Sequence, residues 1–237
     1  MNEAVLNMSN KERSKLNLTY KDLLIIIVSI FGTSFMVGML LALATGVYGE
    51  KAVHNIFQGY YLLLVDAVVV MLVLFLYKPA RYFIADIWNV SALKTGKTYI
   101  YIVLGFIVMG LTQYVMLGLL GVESAEQQRS QLGVEALKNV VQSVIYILSV
   151  AVITPVKEEI MYRGILYRFL EKKYHFLVGL IVSSVVFGLL HGGFPITAMI
   201  MGMVLAILYK KTQSILPSMI LHIVWNLTVS ILTILSL

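Results

Sequence analysis

Cysteine is absent from this 237-residue sequence, which excludes disulfides, thiolate nucleophiles and cysteine metal ligands. Any metal site would have to draw on histidine and carboxylates. Charge is scarce as well: 13% of residues are Asp, Glu, Lys or Arg, against 59% hydrophobic, and the mean hydropathy is +0.89. That balance excludes a soluble globular domain and reads as an all-α, polytopic membrane helix bundle. There is no internal repeat, no low-complexity tract and no linker that would set off a second soluble domain. H-E-x-x-H, the usual zinc-protease signature, is missing too.

The formal net charge of +6 does not point to nucleic acid, because the positive residues fall in short loops between apolar runs, where they set orientation. Residues 1–22 form a basic cytoplasmic tail with Lys11, Arg13, Lys15 and Lys21. Ala42-Leu43-Ala44 resembles a signal-peptidase site, but the apolar run before it is longer than the core of a signal peptide. An uncleaved first span is expected.

A membrane-crossing helix needs about 20 apolar residues, and seven segments qualify or come near: 23–44, 60–77, 99–121, 140–156 with a continuation, 176–191, 196–209 and 215–235. The fifth and sixth are short and expected to be tilted or shielded by neighbours. With Lys157 and Arg163 set aside as intramembrane, 13 Lys and Arg fall in the loops of one side and 3 in those of the other. The positive-inside rule then puts the N-terminus in the cytoplasm and the C-terminus outside. Residues 23–139 thus hold helices one to three with an interfacial connection, and 140–237 hold helices four to seven.

The 77–99 connection mixes Arg81, Tyr82, Phe83, Ile84, Trp88 and Lys94, a pattern that suits a helix lying in the interface. The polar stretch 123–138 is Gln-rich and charged and shows no motif. Ser184, Gly188 and Gly192 recur every four residues, as do Ala198, Gly202 and Ala206; small residues in that rhythm let two helix backbones approach closely in lipid. Pro195 and Pro217 fall near the starts of the sixth and seventh helices, where a missing N–H costs little.

Ionisable groups at membrane depth are costly and are normally retained for ion paths or chemistry. Glu158 and Glu159 sit together in such a run, and two later apolar segments carry His191 and His222. At 1.5 Å per residue these lie about 18, 24 and 16 Å from the cytoplasmic end of their helices, depths compatible with one shared site. Glu159 and Arg163 are four apart and share a helix face, whereas Glu158 is rotated by about 100°. Arg163 is therefore expected to neutralise Glu159 as a structural pair and leave Glu158 free to accept and return a proton. Pro155 removes the backbone bond to Ala151 and is expected to kink or open the helix beside the site. The bland alternative places both glutamates and Lys157 at the wetted end of a shorter helix.

His191 follows Phe187 by four residues, and taken alone reads as a hydrogen-bonded packing residue. His222 and Asn226 are also four apart, and two polar side chains on one face of a membrane helix call for a partner or a cavity. Together they offer donors to an oxyanion. Asp66, in the second span, has no motif around it and reads as packing.

Glu158-Glu159-x-x-x-Arg163, Phe187-x-x-x-His191 and His222-x-x-x-Asn226, in that order, resemble the three motifs of the CAAX-protease and bacteriocin-processing (CPBP, or Abi) family of intramembrane proteases. The resemblance covers roughly residues 140–235; the best-known members of that family have eight helices, against seven here. It implies peptide-bond hydrolysis inside the bilayer of a bacterial cell membrane, with Glu158 and His191 activating water and His222 and Asn226 stabilising the oxyanion. Glu159 and Arg163 would shape the site and Phe187 would pack it. The family is labelled metalloprotease; if a zinc ion is present, Glu158, His191 and His222 would hold it with an open position for water. Implied substrates are membrane-embedded or lipidated peptides, such as prenylated C-termini, bacteriocin-like peptides or peptide signal precursors. Two other readings use the same residues: a non-catalytic bacteriocin-immunity or peptide-binding protein of the same fold, and a proton relay through Asp66, Glu158 and the histidines. The relay lacks the inverted repeat and broken helices of secondary transporters.

Overall fold

The computed structural model describes residues 17–49, 53 and 59–236. The basic positions Lys11, Arg13, Lys15 and Lys51 lie outside the described residues. Two compact units make up the chain, Met1–Asp86 and Ile87–Leu237.

The first unit contains α1 (Tyr20–Tyr48), α2 (Gly59–Leu76) and the short α3 (Lys78–Phe83). Thr19 starts α1 with a capping box: its hydroxyl accepts from the Asp22 N–H, and the Asp22 carboxylate accepts from the Thr19 N–H. This exchange satisfies backbone donors that a helix start leaves open. The Tyr77 hydroxyl donates to the same carboxylate at 2.6 Å, and through that bond Asp22 pushes the Tyr77 phenol up to about 12. Among the residues of α1, only Ile26 is buried, while Phe31, Phe35 and Leu43 are each about two-thirds exposed. Such apolar faces are tolerated against lipid and not against water. Asp66 of α2 lines a groove with Ser34 and Gly38 of α1.

The second unit holds a 3-10 turn (Val90–Lys94), α4 (Gly96–Leu119), α5 (Glu126–Leu132), α6 (Val140–Lys173), α7 (Phe176–Leu189), α8 (Pro195–Thr212) and α9 (Ile215–Leu235). Met109 of α4, Met201, Leu205 and Leu208 of α8, and Leu221 and Trp225 of α9 form a continuous buried core. The Phe106 ring meets Trp225 edge-on, with centroids 5.3 Å apart. Across both units, α1, α2, α4, α6, α8 and α9 are long and apolar enough to cross a membrane. The chain is a multi-pass helical membrane protein, and among the described residues no strand occurs.

Six of the seven expected spans therefore have full length; the fifth does not. α7 ends at Leu189, two residues before His191, and its 14 residues reach about 21 Å, short of a bilayer core of about 30 Å. Gly192, Gly193 and Pro195 follow directly, and Gly193 takes φ +90°, a conformation open to glycine and closed to most other residues. The short helix is shielded as expected. A Cβ added at Gly188 would lie 2.5 Å from the Pro195 carbonyl oxygen and 2.2 Å from Met199 Cγ of α8, and one at Gly202 would meet Ser184 Cα at 3.1 Å. The small-residue rows thus let α7 and α8 pack at backbone distance. The 77–99 connection also differs from expectation. It is not one interfacial helix but two separate short pieces, α3 and the 3-10 turn, because the chain between them carries Asp86 and Asn89, which favour turns and caps; the Asn89 side chain accepts from the Ser91 N–H.

Candidate active site

The long helix α6 carries the acidic pair, and its backbone is widened twice, by π-helical stretches at Leu148–Ile153 and Glu159–Tyr167 that flank an α-helical Thr154–Glu158. Pro155 explains the first. It lacks an N–H, so in an i→i−5 register the carbonyl left without a partner is that of Val150. Asn226 of α9 fills the gap: its Nδ2 donates to the Val150 oxygen at 3.0 Å. Pro155 opens the helix as its chemistry predicts, and a site residue from another helix closes the opening.

At the second widening, Glu159 and Arg163 form the expected pair, with Nη1 and Oε1 2.9 Å apart and both side chains almost wholly buried. The second guanidinium nitrogen of Arg163 donates to the Gly202 carbonyl on α8 at 3.1 Å, and its Cζ lies 4.7 Å from the centre of the Phe187 ring. Phe187 in turn meets Tyr162 edge-on at 5.0 Å and lies between the two imidazoles, 4.3 Å from His191 and 5.9 Å from His222 between centroids. Its packing role is as expected.

His222 is the junction. Its Nδ1 is 3.0 Å from Glu159 Oε1 and its Nε2 is 3.8 Å from Glu158 Oε2, so two adjacent carboxylates address opposite edges of one ring. Glu158 is thus less free than its spacing from Arg163 suggests: it has His222 on one side and the Lys157 ammonium 4.0 Å away on the other. The pair is not a wetted helix end, since Glu159 is fully buried and the Glu158 side chain is 12% exposed.

His191 sits in the turn after α7 rather than on the helix, yet stays one turn from Phe187. Its Nδ1 is 2.6 Å from the Phe187 carbonyl. A carbonyl only accepts, so that nitrogen carries the proton and Nε2 is left with the lone pair. His191, His222, Asn226 and Phe187 all line one cavity of about 840 Å³, counting the open space at its mouth, with apolar walls from Leu117, Val150, Met201 and Trp225. Among the described residues no hydrogen bond joins His191 to Glu158; the link between the carboxylate and the cavity is His222, which lines the cavity and has Glu158 Oε2 3.8 Å from its Nε2.

Zinc is the group that the sequence resemblance allows. With His222 Nδ1 turned to Glu159 and His191 Nδ1 turned to a carbonyl, one ring nitrogen of each remains for an ion. Among the described residues, no three His, Asp or Glu side chains are gathered so that they could hold one. The residues as placed do not form the three-ligand set that a zinc site needs.

Two residues outside the motifs bear on the cavity, one by capping α8 and one by lining the cavity. Glu123 accepts from the backbone N–H of Ile196 at 2.5 Å and of Thr197 at 3.1 Å, and from the Thr197 hydroxyl at 2.5 Å, so it caps α8 from 73 residues away. Arg129 of α5 lines the cavity itself. Both fall in the stretch that shows no pattern in the sequence, and neither has a local signal that could have marked it.

Imidazole and amide groups from α7–α9 thus line one cavity within a bundle of membrane helices, with the acidic pair behind the His222 ring. Residues 140–228 match the model of the Rce1-like family, described as "Type II CAAX prenyl endopeptidase Rce1-like". All three motifs singled out in the sequence fall within this segment. The chain is also 30% identical over 128 residues to "Putative membrane peptidase YdiL" of Bacillus subtilis (strain 168), an alignment covering 53% of this chain and 49% of that protein. The chain thus spans about half the length of the curated relative it matches. No solved structure matches.

Proposed function

We propose that the protein is an intramembrane endopeptidase that hydrolyses a peptide bond of a membrane-associated or lipidated peptide in the cavity between α6, α7, α8 and α9. The observation that carries this reading is the arrangement around His222: two neighbouring glutamates with different partners, one neutralised by Arg163 and one left beside the cavity-lining imidazole.

The chemistry follows from what each atom can give or take. Water is held at the lone pair of His191 Nε2 and gives a proton to the Glu158 carboxylate as its oxygen bonds to the peptide carbonyl carbon. The carbonyl oxygen becomes an oxyanion, which needs donors aimed at it. Asn226 has two amide hydrogens; one is held by Val150 and the other is available. His222 donates from Nδ1 to Glu159, so its Nε2 offers a second N–H only in the imidazolium form. Glu158 then passes its proton to the amide nitrogen as the C–N bond breaks, which restores the carboxylate and releases two fragments. No step is routed through a metal.

The test uses purified full-length protein in liposomes with a farnesylated C-terminal peptide, a bacteriocin-like precursor peptide and a non-lipidated control, read by mass spectrometry with and without chelator. Wild type is expected to yield two fragments whose masses sum to the substrate plus one water. Glu158→Ala and His191→Ala are expected to lower the rate by about 10²–10⁴-fold, the usual contribution of a positioned acid–base group, while inserting and folding normally. Full activity in both variants would refute the assignment. Loss of wild-type activity on chelation would replace the metal-free mechanism with a zinc one.

A further inference from the structure

The cavity is uneven in charge. Apart from its two histidines, its lining is apolar or neutral except at Arg129, and no carboxylate lines it. Arg129 lies outside residues 140–228, so the family match assigns it no role. The stretch that carries it is fastened at two points. Glu123 caps α8 through the bonds described above, and the Ser124 N–H donates to the Gly193 carbonyl at 3.0 Å, on the turn that bears His191. Among the described residues, the Arg129 guanidinium has no ion-pair partner, and it shares the cavity lining with Tyr146 of α6 and Ser230 of α9.

A guanidinium on the wall of a cavity that no carboxylate lines selects for an anion. A guanidinium binds carboxylates through its planar fork of donors, and the anions that an unmodified peptide carries near neutral pH are carboxylates. We propose that Arg129 is a specificity-determining residue that pairs with a carboxylate of the bound peptide. The carboxylate comes from an acidic side chain or from the C-terminus. This assignment rests on the hydrolytic reading for its substrate class, but binding can be measured without turnover.

The test pairs N-palmitoylated decapeptides of alanine and leucine. One set has a free C-terminal carboxylate or its amide; the other has an internal Glu or Gln moved along an amidated chain. Dissociation constants are measured on full-length Glu158→Gln protein in liposomes, and cleavage sites and KM on wild type. Arg129 is exposed to solvent, which limits the pair, so acidic probes are expected to bind about fivefold tighter than their neutral twins, with a preference that shrinks as salt rises. Arg129→Gln is expected to erase the difference and Arg129→Lys to restore part of it. In turnover the difference should lie in KM and not in kcat. Whichever set carries the preference identifies the carboxylate's source. Equal binding of acidic and neutral probes, binding of neither, or an equal loss for both on Arg129→Gln would overturn the assignment. Cleavage without acid preference would sink Arg129 and leave the peptidase reading standing; acid preference without cleavage would do the reverse.

Discussion

Arg163 is a deeply buried charge, and replacing it with methionine tests how the site is held. The residue is 1% exposed and the Glu159 it pairs with is 0% exposed. Methionine keeps most of the volume and removes the cation, leaving the Glu159 carboxylate buried beside His222 and Ser218 with no guanidinium to neutralise it, and leaving the Gly202 carbonyl without its side-chain donor. Breaking one half of a buried pair costs about 3–5 kcal/mol, because the surviving charge is uncompensated. For a chain of this size that corresponds to a fall in melting temperature of about 6–20 °C. The double variant Arg163→Met/Glu159→Gln removes the stranded charge and retains an amide oxygen that His222 Nδ1 can address, so most of the loss should return. Thermal unfolding in detergent of wild type, both single variants and the double variant gives the cycle. If Arg163→Met melts within 2 °C of wild type, or if the double variant is no more stable than Arg163→Met, the pair does not hold the site and the reasoning fails.

Gly188→Ala should destabilise by about 1–3 kcal/mol, since the new methyl meets the Pro195 carbonyl, which cannot step aside as a side chain would. Gly202→Ala, with its nearest contacts at 3.1–3.3 Å, should cost less, and a reversed order in melting temperature would contradict the α7–α8 packing. Glu123→Ala should cost about 0.5–2 kcal/mol through the lost cap on α8; hydrogen exchange at Ile196 and Thr197 should rise, and unchanged protection there would refute the cap. Asn226→Ala should cost about 1 kcal/mol or more in wild type but less in a Pro155→Ala background, where residue 155 regains an N–H for Val150. Additive losses in that double-mutant cycle would show that the two residues do not serve the same carbonyl.

Some of this was legible from spacing alone. Glu159 and Arg163 sit four apart in a helix, and the pairing follows from geometry that any helix imposes. The rows Ser184/Gly188 and Ala198/Gly202 announced close packing for the same reason: the signal is periodic and local. His191 was placed one step wrong, on the helix rather than in the turn beyond it. The hydrophobic run does continue to that point, but Gly192-Gly193-x-Pro195 ends the helix by backbone conformation, which hydropathy does not register. Tertiary facts without a periodic signal were not legible. Nothing local in Glu123 says that it caps a helix that starts 72 residues later, and Arg129 reads as one more loop cation until the cavity beside it is drawn. The chain's division at Asp86/Ile87 falls inside the 77–99 connection, whose composition marks a link between spans but carries no signal of a boundary between two units.

Two adjacent glutamates in a low-dielectric bundle cannot both be free carboxylates, because like charges a few ångströms apart repel strongly where water does not screen them. This site separates them by giving them different partners. Glu159 takes the guanidinium and the Nδ1 edge of His222, which fixes its charge and the ring's orientation; Glu158 is left with the Nε2 edge at a distance too long for a hydrogen bond. Only the second carboxylate can exchange protons without dismantling the packing around it. Glu158→Gln should therefore leave the melting temperature nearly unchanged while removing turnover, and Glu159→Gln should lower stability first and affect turnover through the orientation of His222. If the two variants exchanged these behaviours, the proton would have to be moving through Glu159, and the role assigned to Arg163 would have to change with it.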